Sequence, residues 1–120
     1  MAYVETKAPG FRYGLGTISG DGAPGQLVRV SEDNVFVVND DSAVCSFGVL
    51  AGAYTDGEMC GVHCMGGIYE TDQYAGNVSP GDELACDAET GKLKAASGDE
   101  FLVGEAISLQ AGILRFKLLV

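Results

Sequence analysis

Tryptophan is absent from this chain, histidine occurs once, and proline occurs three times in 120 residues. Apolar runs are short. None reaches the roughly 18 residues that a membrane-spanning helix needs, so no such helix is expected. The opening MAYVETKAPGFRYG has neither the basic start nor the apolar stretch of a secretory signal, which predicts synthesis in the cytoplasm. Basic residues are few, 7 against 17 acids, for a formal net charge of −10. A surface this acidic repels phosphate backbones and argues against nucleic-acid binding through a basic patch. It suits a soluble protein and a partner that carries basic patches. No window holds a helical period, and DEFLVGEAIS (99–108) has room for one helical turn at most.

Glycine is abundant, at 18 residues, and stands singly between short apolar runs. That spacing predicts short strands joined by tight turns. The chain length fits one domain, which buries about two thirds of its unfolded surface. Strand patterns recur along it. QLVRV (26–30) follows a Pro-Gly pair, and VFVV (35–38) is apolar enough for burial on both faces. VCSFGVLAGAY (44–54) is broken by Gly48. In EMCGVHCM (58–65), Cys60, Val62 and Cys64 share one face, and Met59, His63 and Met65 the other. GIYETD (67–72) is a further strand. DELACD and KLKAA flank the turn AETG, and ILRFKLLV (113–120) puts Leu114, Phe116, Leu118 and Val120 on one face.

Two stretches align. PGQLVRVSEDNVFVVND and PGDELACDAETGKLKAA each run from a Pro-Gly pair through a strand and a polar turn to a second strand. Gly25 and Gly48 are spaced as Gly81 and Gly104 are, which gives an offset of 56. The expected fold is all-β: a compact, tulip-like β-barrel or β-sandwich built from two pseudo-repeated four-strand units. Neither unit has enough core alone. The barrel domain is expected over 24–120. Residues 1–23, glycine-rich and without sustained periodicity, are expected as an extended N-terminal arm with one edge strand near Tyr13–Ile18.

Candidate chemistry is sparse. The set Cys60, His63 and Cys64, with Cys45 or Cys86, has zinc-ligand residue types. On an extended strand, however, His63 points away from both cysteines, and these lie about 13 Å apart. A bend at Gly61 would be needed, so small apolar cysteines lining a core are the expectation. In a cytoplasm they stay reduced. His63 has no serine elbow near it, and Cys64 faces the opposite way, so no nucleophile–base pair forms. SEDN, NDDS and TDGE lie at turns without EF-hand spacing, where Asp and Asn bond their own backbone. GLGTISGDG lacks the strand–helix setting of a phosphate loop. Lys92, beside a hairpin turn, resembles the modified lysine of lipoyl and biotinyl carriers, but TGKLK lacks their Met-Lys-Met or Asp-Lys-Ala core.

From Gly25 to Val120 the chain resembles the capsid cement, or head decoration, proteins of tailed bacteriophages and prophages. The resemblance is carried by the Pro-Gly strand starts, FGVLAGAYTDGE, VSPGDELACDAETGKLKAAS, LVGEAIS and the terminal GILRFKLLV. The N-terminal segment and the cysteines depart from that pattern. The resemblance implies a non-enzymatic structural protein without cofactor, bound as a homotrimer to the major capsid protein on the outside of an icosahedral head. On this expectation the arm docks, through Phe11, Arg12 and Tyr13, by adding a strand to an exposed edge of the shell protein. Many copies then stabilise the shell by avidity. Two alternatives stand beside it: another virion part, such as a head-fibre base or tail component, and a small ligand-binding or carrier barrel.

Overall fold

Alternation becomes burial most cleanly at the C-terminus, where Leu114, Phe116 and Leu118 are buried and Arg115 and Lys117 face solvent. The computed structural model describes residues 2–120, which are all-β, with eleven strands and no helix among them. A first strand, β1 (Val4–Ala8), precedes two groups of five. The first group is β2 (Phe11–Ile18), β3 (Leu27–Glu32), β4 (Val35–Val38), β5 (Gly48–Leu50) and β6 (Met59–Cys64). The second is β7 (Ile68–Thr71), β8 (Glu83–Cys86), β9 (Leu93–Ala95), β10 (Gly104–Gln110) and β11 (Ile113–Leu118). The first group closes into a barrel in the order β2-β4-β3-β5-β6, and the second, with β1, forms a six-stranded sheet, β1-β7-β11-β10-β8-β9.

Hydrogen bonds recur between the groups at an offset of 56 residues. Val28 pairs with Gly48, and Leu84 with Gly104. The Gly25 N–H donates to the Leu50 carbonyl, and the Gly81 N–H to that of Ala106. The Phe47 N–H donates to Val28, and the Val103 N–H to Leu84. Both Pro-Gly pairs form the same turn, with glycine φ of 93° and 88° at Gly25 and Gly81. That is the type II arrangement, which needs a positive φ after proline. Gln26 Oε1 and Asp82 Oδ2 accept from the Ala23 and Ser79 N–H groups, each at 2.8 Å, bracing the two turns alike. β2 runs antiparallel to β6, as β7 does to β11. The parallel β2–β4 pairing has its counterpart in a parallel bridge between Tyr74 and Leu93. The barrel holds five strands and the sheet six, where two units of four were expected.

The core is double. One cluster, inside the barrel, holds Ile18, Val28, Phe36, Leu50, Cys60 and Val62. The other includes Tyr69, Leu84, Leu93, Leu114, Phe116 and Leu118, and also Leu27 and Val49. Adjacent residues of β3 and β5 thus point into different cores, which makes these two strands the wall between them. That is why Leu27, Val28, Val49 and Leu50 are all fully buried. Of VFVV only Phe36 is fully buried, so β4 is not covered on both faces. The 44–54 stretch keeps only Gly48–Leu50 as strand, with Tyr54 bridged to Gly22.

The N-terminal segment is not a separate arm. β1 pairs with β7, and β2 is paired on both sides, by β6 and by β4. A register shift between Tyr13 and Gly16 breaks the period of two, so the sequence alone shows no strand of this length there. β4 covers β2 only at Thr17 and Ile18, and the Phe11–Tyr13 half is held by β6 alone. β1 is an edge strand, but a register shift between Thr6 and Ala8 and the intervening Lys7 interrupt its ladder. Bulges and lysines are the usual means of discouraging strand addition at an edge.

Candidate docking site at the seam between the units

Three consecutive left-handed residues join the units: Met65, Gly66 and Gly67, at φ of 57°, 87° and 97°. Glycine takes this conformation freely, while a side chain such as methionine is strained by about 1–2 kcal/mol. Met65 is nevertheless 73% exposed, so the strain is not repaid by burying its side chain. The Tyr69 hydroxyl holds the seam together. It donates to the Gly66 carbonyl at 3.1 Å and accepts from the Gly10 N–H at 3.4 Å. The Gly66 N–H donates to the Val120 carbonyl at 3.3 Å, which brings the C-terminal residues alongside.

A cavity of about 220 Å³ opens here, walled by Pro9, Phe11 and Tyr69, with Thr6, Arg12 and His63 as its polar lining. Arg12 and His63 are direct cross-strand partners on β2 and β6. The guanidinium lies across Gly61, in space that a side chain there would fill. The His63 ring lies against Tyr69, with centroids 4.6 Å apart and planes tilted by 35°. Burial, and secondarily the positive charge of Arg12, push the His63 pKa below its ordinary value. Phe11, which lines this opening, is 61% exposed, and Met65 and Leu119, on adjoining backbone segments, are 73% and 52% exposed.

Arg12 differs from most cations of the chain. Lys7, Arg29, Lys94 and Arg115 each have a carboxylate within salt-bridge distance, and Arg12 has none among the described residues. In a chain with 17 acids, an arginine held on a strand without a carboxylate partner is free for an external one.

The expected docking residues divide. Phe11 and Arg12 are at the surface. Tyr13 points into the barrel, where its ring meets Phe36 and Phe47 edge-on at 5.8 and 5.6 Å, and its hydroxyl donates to Asn34 Oδ1. Tyr13 is thus a packing residue. Tyr69, Met65 and Leu119 were not expected at a docking surface. The Met-Gly-Gly run was their only sequence signal, and it marks the turn without saying what gathers there.

The cysteine set does not converge. Cys60, Cys64 and Cys86 are buried, Cys45 is exposed, and all four are free thiols. Among the described residues no group of three or more His, Cys, Asp or Glu side chains is placed to hold a metal. Cys86 donates to the Asn39 carbonyl at 3.3 Å, and burial, with Asp87 and Asp40 adding, pushes its pKa up to about 12. The Lys92 hairpin is not a free tip. Gly91, next to Lys92, is buried and accepts from the Leu27 N–H at 2.7 Å, and Gln26 donates to the Thr90 carbonyl at 2.9 Å. A carrier lysine must swing its prosthetic group between sites, whereas this turn is docked on the first unit.

Compared with known proteins, the chain matches no family model, no curated sequence and no solved structure.

Proposed function

We propose that this protein is a non-enzymatic structural component of a bacteriophage virion: a decoration protein that binds the major capsid protein on the outer surface of the head and stabilises the shell. The sequence resemblance over Gly25–Val120 motivates this assignment. The single structural observation that supports it is the exposed set Phe11, Arg12, Met65 and Leu119, carried on a rigid seam. Large apolar side chains beside an arginine are the residue types that anchor protein interfaces. The cavity that Phe11 and Arg12 line is smaller than the ~300–1,000 Å³ usual for small-molecule sites, which favours a protein surface as the partner.

Docking then proceeds from a folded surface and not by strand addition from a flexible arm. Removing residues 2–13 would not test this, because it takes away β1 and part of the barrel wall. Point variants are the proper instrument. Purified protein is mixed with undecorated heads of the phage that encodes it, and bound copies are counted after sedimentation. Wild type is expected to saturate the heads, and Phe11→Ala with Met65→Ala to reduce occupancy at least tenfold while remaining folded. No co-sedimentation of the wild type would overturn the assignment. The homotrimer is tested separately by sedimentation equilibrium. Three chains of 12.4 kDa would give about 37 kDa, and a mass of one chain at saturating concentration would remove the trimer.

A further inference from the structure

We infer that the seam cavity receives a single carboxylate side chain from the partner protein, gripped by Arg12 and bordered by Pro9, Phe11 and Tyr69. The inference rests on the docking assignment above and specifies the chemistry of its central contact.

Three observations converge. First, size: about 220 Å³ is the volume of roughly seven liquid waters, room for one amino-acid side chain and little more. Second, charge: Arg12 lies at this opening without a carboxylate of its own chain among the described residues. A guanidinium matches a carboxylate with two parallel N–H···O bonds, which a neutral amide cannot reproduce. Third, rigidity. Arg12 is held in register on β2 by β6, with His63 as its cross-strand partner. Tyr69 backs the histidine and is itself pinned by hydrogen bonds to Gly10 and Gly66. Little side-chain freedom at His63 and Tyr69 is left to lose on binding. Two further donors border the opening, the Thr6 hydroxyl and a ring N–H of His63. Pro9, Phe11 and Tyr69 exclude water from the stem of the incoming side chain, which strengthens the ion pair at its end.

The nearby acids do not fill the role. Glu70 is engaged by Arg115 at 2.7 Å and by Lys7 at 3.5 Å, and Glu5 by Lys7 at 3.1 Å. The acids of β1 and β7, the strands that carry Thr6 and Tyr69 to the opening, are thus engaged by other cations.

The probe is N-acetyl-glutamate N-methylamide, which carries one carboxylate on a glutamate stem, and the control is the glutamine analogue. Nuclear magnetic resonance of the intact chain follows the Arg12 side-chain N–H and the His63 ring. A single side chain should bind weakly, with Kd on the order of 1–10 mM. The expected result is saturable movement of both signals with the glutamate probe, at least tenfold weaker binding of the glutamine analogue, and equal weakening in Arg12→Gln. Arg12→Lys is expected to recover only part of the loss, since it keeps the charge and loses the paired geometry. Unperturbed spectra elsewhere check that each variant is folded. Equal response to the two probes, or binding that survives Arg12→Gln, overturns the inference. No heads enter this experiment, so its failure is separate from failure of the wild type to decorate them.

Discussion

Gly104 on β10 lies close against the Lys117 carbonyl of β11, and alanine there puts the strand spacing to the test. The added methyl would lie 2.6 Å from the Lys117 carbonyl oxygen, against about 3.4 Å for ordinary contact, so the strands must part locally by about 0.8 Å. A backbone hydrogen bond of about 2.9 Å stretched that far is no longer a bond. Losing one or two of these costs about 1 kcal/mol each, and residual overpacking about 1 kcal/mol more. The loss of glycine's freedom in the unfolded chain returns roughly 0.5–1 kcal/mol. The net expectation is a loss of about 2 kcal/mol. With a urea slope of about 2 kcal/mol per molar, the unfolding midpoint falls by about 1 M, and Tm by roughly 8 °C. Gly48 is the equivalent position, and a methyl there meets the His63 carbonyl even more closely, with Val62 Cγ1 at 2.8 Å. Gly48→Ala should therefore cost more than Gly104→Ala. Gly14, open on all sides, is the control and should change by less than about 0.5 kcal/mol. If Gly104→Ala and Gly48→Ala both behave like Gly14→Ala in urea, the close approach of these strands is refuted, and with it the shared architecture of the two units.

Glu83 and Glu105 face each other across β8 and β10, at the positions equivalent to the buried pair Leu27 and Val49. Charges on this outer face oppose stacking of another sheet, so the double variant E83L/E105V should self-associate in a concentration-dependent way by sedimentation velocity. A sedimentation profile identical to wild type at every concentration counts against that role. Ellman's reagent should label Cys45 alone in the native protein near pH 8, and four thiols after unfolding. Fast native labelling of Cys86, whose pKa burial pushes up to about 12, would contradict its placement. The folded His63 has a pKa below its unfolded value, so the unfolded chain binds the proton first as pH falls. Stability is complete above the unfolded value of about 6.5 and is lost as pH drops through it toward the lower folded value. Urea midpoints at pH 7.5 and 5.5 should show a smaller drop in His63→Gln than in wild type, and equal drops would show that His63 contributes nothing to the slope.

Much of the fold was legible because the forces that write strands are local. Alternation in β6 and β11 shows which side chains face inward, and Pro-Gly marks two turns because only glycine takes the positive φ that follows. The offset between Gly25 and Gly81 needed no structure to see, since both turns use the same chemistry. The candidate site was legible only in part. Phe11 and Arg12 were expected at a docking surface, but on an arm. Tyr13 belongs to the barrel's ring cluster, a fact set by Phe36 and Phe47, which lie far along the chain.

By itself, then, the sequence determined an all-β chain of short strands and tight turns with an excess of acids and scattered cysteines, because composition, period and turn chemistry are properties of short segments. The tertiary structure decided how the halves join. Leu27 and Val49 face outward from the barrel and become part of the second core, because the six-stranded sheet covers them. The first strands close the fold because β6, β4 and β7 offer them edges to pair with. Arg12, His63 and Tyr69 meet at one opening because a left-handed turn of three residues brings the end of one unit against the start of the next. Those are pairings between distant segments, and no local pattern encodes them.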